Sequence, residues 1–459
     1  MFLDCDQLSL DQCILAVDYG GEYSEEHMTP PNSRRRSNVV ADAELIRIRY
    51  QLPTVFSPGG PVTDPELLSG RGQEIQRVLG TVASVGQHAI IYGERGAGKT
   101  SLASLIHRIW TDYIREADGI VAARVQCDHT DTYASIWQKV AEAIQRDFEK
   151  RGIKPLGNGR FDDCAAAIEA GAAEPSSVTS LFDLAGKKAI VVIDEFDTVD
   201  DNDTTALMAS TIKQLSDFGV DATLILVGVA DSIDELIAEH RSIDRCLNQI
   251  FLPRMAVDEL RQLVEQRLLR LGMNIYPRAV LRLAAMSQGF PYYAHLLGLH
   301  AGIAAIDRNS LTVEPSDIDA AMTRAISESQ QSVIADFIKA VTSPRPENLY
   351  RQTLLACALA NADDLGYFAP ANLKDPISVI LGRTRDVPTY MKQLEAFTKD
   401  DRGPTLGQSG DPRNRRFRFV NPLLKPYVIL RGIADGLISE QEAFLFTQPD
   451  VARQLQLDL

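Results

Sequence analysis

One octapeptide restricts the fold of this chain more than any other feature. Gly93-Glu94-Arg95-Gly96-Ala97-Gly98-Lys99-Thr100 satisfies the spacing G-x-x-x-x-G-K-[ST] and is followed by Ser101. It stands between a β-rich apolar run, "HAIIY", and an amphipathic segment, "SLASLIHRIWTDYI", where Leu102, Leu105, Ile106, Ile109 and Tyr113 recur at helical spacing. A glycine-rich turn at that junction lets backbone N–H groups converge on phosphate oxygens at a helix N-terminus, whose dipole favours an anion. Gly93 to Ser101 are therefore the expected nucleotide-binding set. Lys99 would reach the β- and γ-phosphates of ATP, and the Thr100 hydroxyl would coordinate Mg²⁺.

A phosphate cradle of this kind needs acidic residues at the end of a neighbouring buried strand. "AIVVIDEFD" provides them, with five apolar residues ahead of Asp194 and Glu195. Charges placed directly after such a run lie at the C-terminal edge of the strand, where open α/β sheets bind ligands. Asp194 would hold Mg²⁺ through water, and Glu195 would orient or deprotonate the attacking water. The further strands "IVAARVQ" and "TLILVGV" alternate with helical patterns. Parallel βαβ units follow, in an α/β P-loop NTPase sheet with helices on both faces. Leu68 to Arg71 would lead into this domain and flank the base.

The six cysteines are scattered without a C-x-x-C pair, which excludes a zinc-ribbon or disulfide framework and fits a reducing cytoplasm. No apolar run approaches the roughly 18 residues of a membrane span, and "MFLDCDQLSLDQC" lacks the order of a signal peptide. A cytoplasmic protein without a membrane partner is expected. The net charge of −15 disfavours nucleic acid on its face, yet residues 345–431 carry 14 Lys and Arg against 9 Asp and Glu. A basic module rides on an acidic body.

The punctuation divides the chain. Residues 1–62, with "TPPNSRRRSN" and "SPGGPVTDP", read as an irregular arm. Its Arg34, Arg35 and Arg36 are either phosphate contacts or a solvated basic patch. The P-loop core spans 63–254. A helical subdomain covers 255–342, a third module 346–436, and a helical tail 437–459.

Taken together the motifs resemble the AAA+ superfamily, and within it the group of origin-recognition and archaeal initiator ATPases and STAND signalling ATPases. The resemblance covers about residues 65 to 340 and implies further roles. In "LILVGVADSIDEL" it puts Asp231, beside Ser232, at the sensor 1 position, where relatives usually carry Asn, Ser or Thr. In "EHRSIDRCLNQIFLPRM" it implies an arginine finger acting on the next subunit, Arg245 first and Arg241 second. "GFPYYAHLLG" carries the G-x-P of the helical lid, with Pro291 at the nucleotide, but Tyr292 and Tyr293 stand where initiators have a sensor 2 arginine. That departure implies slow hydrolysis.

The third module presents three helical patterns and then the alternation Arg416-Phe417-Arg418-Phe419, which suits a β-ribbon. This set resembles a winged helix. Arg413, Arg415, Arg416 and Arg418 would touch duplex DNA phosphates, contacts that bind without reading sequence. In STAND-like relatives the same module packs on the ATPase and leaves DNA alone. Two expectations stand side by side: an ATPase using ATP to control self-association and DNA engagement, or a switch that responds to a partner effector protein.

Overall fold

The computed structural model describes residues 33–60, 70–110, 120–152, 154–155, 159–228, 243–344, 348–411 and 413–457. Five parallel strands build the central sheet: β1 (His88–Tyr92), β2 (Ile120–Gln126), β3 (Lys188–Asp194), β4 (Ala222–Gly228) and β5 (Leu247–Phe251), in the order β2-β3-β4-β1-β5. Side chains alternate across a strand, so each apolar run feeds both faces. Ile90, Val191, Ile193, Leu224 and Leu226 pack on one side with Trp137, Phe148, Phe161 and Phe182. Ala89, Ile91, Ile190, Val192, Ile225 and Val227 pack on the other with Val78, Leu102 and Ile106. Covering both faces is what a parallel sheet requires, and it is why β1, β3 and β4 read as near-continuous apolar runs.

The helices divide accordingly. From the N-terminus they are α1 (Ser33–Val55), α2 (Gly72–Ala83), α3 (Lys99–Arg108), α4 (Tyr133–Arg151), α5 (Gly159–Glu169), α6 (Pro175–Ala185) and α7 (Asn202–Asp217). β5 was not expected as a strand. Its sequence, "LNQIF", carries polar Asn248 and Gln249 at its centre, and only Leu247 and Ile250 are buried. An edge strand with one neighbour has no apolar run to announce it.

After β5 come α8 (Val257–Arg270), α9 (Pro277–Met286), α10 (Pro291–Asp307), α11 (Pro315–Glu328) and α12 (Gln331–Val341), the helical subdomain. The C-terminal module contains α13 (Tyr350–Leu359), α14 (Lys374–Leu381) and α15 (Met391–Phe397), then the antiparallel ribbon β8 (Leu406–Ser409) and β9 (Arg416–Phe419), counting the short parallel pair β6 (Asn274–Ile275) and β7 (Thr312–Val313) before it. Phe417 and Phe419 face inward while Arg416 and Arg418 face outward. Three helices close the chain: α16 (Leu424–Ala434), α17 (Glu440–Thr447) and α18 (Pro449–Leu457).

Residues Met1–Ile46 form one unit and Arg47–Leu459 another. The expectation of an irregular arm before Asp64 is corrected by α1. Within the larger unit Ile48, Leu52, Val55 and Phe56 are buried at helical spacing, a stripe that the flanking Pro, Gly and Ser residues obscured. Phe56 and Leu52 seat on α10 where it has no side chain. A Cβ on Gly298 would stand 2.4 Å from Phe56 Cε1, and one on Gly302 would stand 2.7 Å from Leu52 Cδ2. Arg267, fully buried, donates to Val55 O at 3.1 Å and fixes the end of the helix.

Gly298→Val should therefore lower stability by about 1–3 kcal/mol through overpacking against Phe56, measured by denaturant unfolding. An unchanged midpoint would show that α1 does not pack there in solution.

Candidate nucleotide site

The P-loop leaves β1 under tight steric control. Leu252 N donates to Tyr92 O at 2.7 Å, and a Cβ on Gly93 would come within 2.3 Å of Leu252 O. Only glycine allows β5 to approach so closely. Gly96 and Gly98 then adopt φ of 87° and 97°, turning the backbone into the first residue of α3, Lys99. From behind, the buried Arg71 donates to Ala97 O at 3.1 Å and to Pro253 O at 2.7 Å, clamping the loop to the end of β5. Arg71 thus braces the loop, Gly70 lies against Glu259, and Leu68 lies outside the described residues.

Lys99 is held in the cradle it would share with phosphate. Its Nζ donates to Gly93 O at 3.0 Å and Glu94 O at 2.9 Å. Burial lowers its pKa, while Asp197, Asp194 and Glu94 pull the other way. Glu94 itself points aside, into a two-pronged pair with Arg254 whose Nη2–Oε1 arm is 2.8 Å, while the Arg254 guanidinium lies over the Phe290 ring.

Asp194, only 1% exposed, ends β3 beside the loop. Thr100 Oγ1 donates to its Oδ1 at 3.3 Å and Arg124 Nη2 to its Oδ2 at 2.8 Å. Glu195 follows with φ of 56°, a left-handed backbone that costs a non-glycine residue on the order of 1 kcal/mol or more. Its carboxylate accepts from Gln126 Nε2 at 2.8 Å. Arg124 and Gln126 share one face of β2 two residues apart, which is how this strand reaches both acidic groups. Neither residue was singled out by sequence, since a lone Arg and Gln in a strand carry no motif.

A cavity of about 580 Å³ joins these parts, a size suited to a small-molecule ligand. Arg95, Lys99, Thr100 and Ser101 line its floor; Asp194, Glu195 and Asp197 line one wall. Pro291, which opens α10, and Tyr292 close another side, and Ser57 to Gly60 a third. That last stretch was read as linker. His295 anchors it, because its Nδ1 accepts from Ser57 N at 3.1 Å. Burial, and then the charge of Arg267, push the imidazole down to about 3, so it stays a neutral acceptor. The donor set fits the nucleotide and metal it was expected to hold: a cation at the loop, a hydroxyl and a carboxylate 3.3 Å apart.

Asp231, Ser232 and Arg241 are outside the described residues, and so are the side chains of Arg34, Arg35 and Arg36. Arg245 does not join its own chain's site. It precedes β5, at the sheet edge opposite the P-loop, is 69% exposed and pairs with Asp217. On the ribbon Arg413 is exposed. Arg415 pairs with Glu395 at 2.8 Å, Arg416 with Asp363 at 3.3 Å, and Arg418 lies over the Tyr367 ring.

Residues 67–227 match the family model described as AAA ATPase domain. The chain carries an AAA ATPase domain. Its fold is similar to that of the Walker-type ATPase paby2304 of Pyrococcus abyssi, with a TM-score of 0.50 and 14% identity over 82% of this chain and 99% of that one. The ORC2 protein of Aeropyrum pernix, solved in ADPNP–ADP complexes, gives 0.48 and 17% over 85% and 98%. The ORC1 protein of the same organism in complex with DNA gives 0.45 and 17% over 81% and 94%. At 14% identity the likeness to the Pyrococcus abyssi ATPase is one of fold. No curated protein matches the sequence. Among the described residues no helix of this ATPase-domain protein is long and apolar enough to cross a membrane.

Lys99→Ala should abolish nucleotide binding, read by equilibrium binding of a fluorescent nucleotide. Glu195→Gln should keep binding and lower turnover by about 100-fold or more, as expected when a water-positioning group is lost. Unchanged affinity in the Lys99 variant would remove the P-loop from the account.

Proposed function

We propose that this chain is an ATP-binding, slowly hydrolysing switch in which nucleotide at the P-loop decides whether the C-terminal module, a winged helix, stays docked on the ATPase. The supporting observation is that the module reaches the P-loop itself. Leu423 crowds Gly96, where an added Cβ would be 2.8 Å from Leu423 Cδ2. Leu423 O is held by the buried Tyr293 hydroxyl at 2.8 Å. Gly366 lies against Glu94, 2.4 Å from its Oε1 to a built Cβ. Leu423 also lines the nucleotide cavity. A ligand that reshapes the loop around Gly96 has a different affinity for docked and undocked states, which is the condition for a switch.

In this reading Lys99 and Arg95 bind ATP phosphates, and Thr100 and Asp194 would hold Mg²⁺, which when bound neutralises phosphate charge. Glu195, aimed by its left-handed backbone and Gln126, orients the attacking water. Tyr292 and Tyr293 occupy the place of a lid cation, and their hydroxyls are engaged by Gln330 N and Leu423 O instead. Slow hydrolysis follows. Asp231 belongs to the proposal as sensor, and Arg245, at the far edge of its own sheet, could serve only a neighbouring subunit's nucleotide. Self-association in the ATP state and capture of a partner effector protein complete this reading.

A second reading, DNA engagement, rests on Arg413 and Arg416, which the ribbon leaves exposed. It predicts duplex affinity that falls steeply with salt.

Leu423→Asp should undock the module, since losing a buried leucine costs about 2–5 kcal/mol. Release of a fluorescent ADP analogue should accelerate by at least about tenfold; an unchanged rate would sink the docking switch. The mass of the Glu195→Gln protein with ADP or ATP, with and without duplex DNA, separates the two readings. An ATP-dependent oligomer indifferent to DNA supports the switch. One that needs DNA, and loses it in Arg413→Ala/Arg416→Ala, supports the second.

A further inference from the structure

A second cleft of about 240 Å³ lies between the loop after β5, the turn before α10, the C-terminal module and the end of α17, and shares no lining residue with the nucleotide cavity. Its polar wall includes Arg254, Gln288, Asn361, Lys425, Thr447 and Gln448. The charges there do not balance. Glu94, bound to Arg254 through two hydrogen bonds, is a single carboxylate facing two cations, Arg254 and Lys425. The Lys425 side chain is 9% exposed and has no hydrogen bond or ion pair among the described residues. The buried Oε1 of Gln448, on the same wall, also lacks a partner. Gln288 donates its Nε2 to Ala285 O and Thr447 Oγ1, so those N–H groups are already engaged within the protein.

We infer that this cleft binds a small phosphate-bearing anion, whose charged oxygens pair with the Lys425 ammonium and whose O–H donates to Gln448 Oε1. An isolated buried ammonium is costly unless paired, and a buried acceptor without a donor adds to the cost. Hydrogen phosphate, or a phosphomonoester with a free hydroxyl, carries both the charge that Lys425 needs and the O–H that Gln448 Oε1 needs. Burial, reinforced by Arg254 and opposed by Glu94, pushes Lys425 down to about 7, and an anion beside it would favour the charged form. Cys357, buried close by, is pushed up by burial and stays a neutral thiol. Because Glu94 belongs to the P-loop and shares Arg254 with this cleft, an anion here competes for the guanidinium that holds Glu94 aside.

The test uses the full-length Lys99→Ala protein, so that the P-loop takes no phosphate, and titrates inorganic phosphate at neutral pH by calorimetry. Saturable binding at one site is expected, weakened about tenfold or more by adding Lys425→Met and to a smaller extent by Gln448→Leu. Glycerol 3-phosphate in a second titration distinguishes the source: tighter binding than phosphate points to a metabolite, equal binding to free phosphate. Absence of saturable binding in the Lys99→Ala protein, or equal affinity after Lys425→Met, would overturn the assignment. Should Lys425→Met fail to fold, Gln448→Leu alone decides, with unchanged affinity counting against the site.

Discussion

The approach of β5 to the end of β1 is the constraint on which the site depends. Leu252 N bonds to Tyr92 O at 2.7 Å, and Gly93 accepts Leu252 O where no side chain would fit. That pairing delivers Pro253 and Arg254 to the back of the P-loop. Arg71 then ties Ala97 to Pro253, and Arg254 takes Glu94 out of the phosphate path. A loop whose backbone N–H groups must converge on an anion has few internal hydrogen bonds of its own. It is kept open by bonds from outside, and here these come from an edge strand and the residues around it.

The same loop is faced by the C-terminal module. Leu423 meets Gly96, and the Tyr293 hydroxyl that holds Leu423 O belongs to α10, the helix whose first residue, Pro291, lines the nucleotide cavity. Sheet, helical subdomain and C-terminal module therefore converge within a few residues of Gly96. His295 on α10 adds Ser57 and its neighbours to the same assembly. Small movements of α10 would be felt by the nucleotide wall, by Leu423 and by α1 at Gly298, since packed interfaces shift between discrete arrangements rather than deform smoothly.

Much of the core was legible because its signals are local. The four strands with largely apolar runs, the glycines of the P-loop and the Asp194–Glu195 pair each sit within a few residues of the feature that explains them. β5 and α1 were not legible for opposite reasons: Asn248 and Gln249 break the apolar pattern of an edge strand, and linker-like flanks mask the stripe Ile48, Leu52, Val55 and Phe56. Arg124, Gln126 and Arg254 escaped because their partners lie 70, 69 and 160 residues away. A distant ion pair leaves no periodicity.

The sequence by itself determined that a phosphate-binding loop joins a buried strand to a helix, that acidic residues end a neighbouring strand, and that a basic ribbon follows a helical stretch. Each follows from backbone conformation and burial over a short span, which residue type alone can encode. Only the tertiary structure decided what meets the loop: Arg71 and Arg254 behind it, Arg124 on Asp194, Leu423 over Gly96, and the Lys425 side chain buried without a hydrogen-bonded partner among the described residues. Those are matters of which surfaces are brought together. Burial fixes the strength of each charge pair, and burial belongs to the fold rather than to the residue.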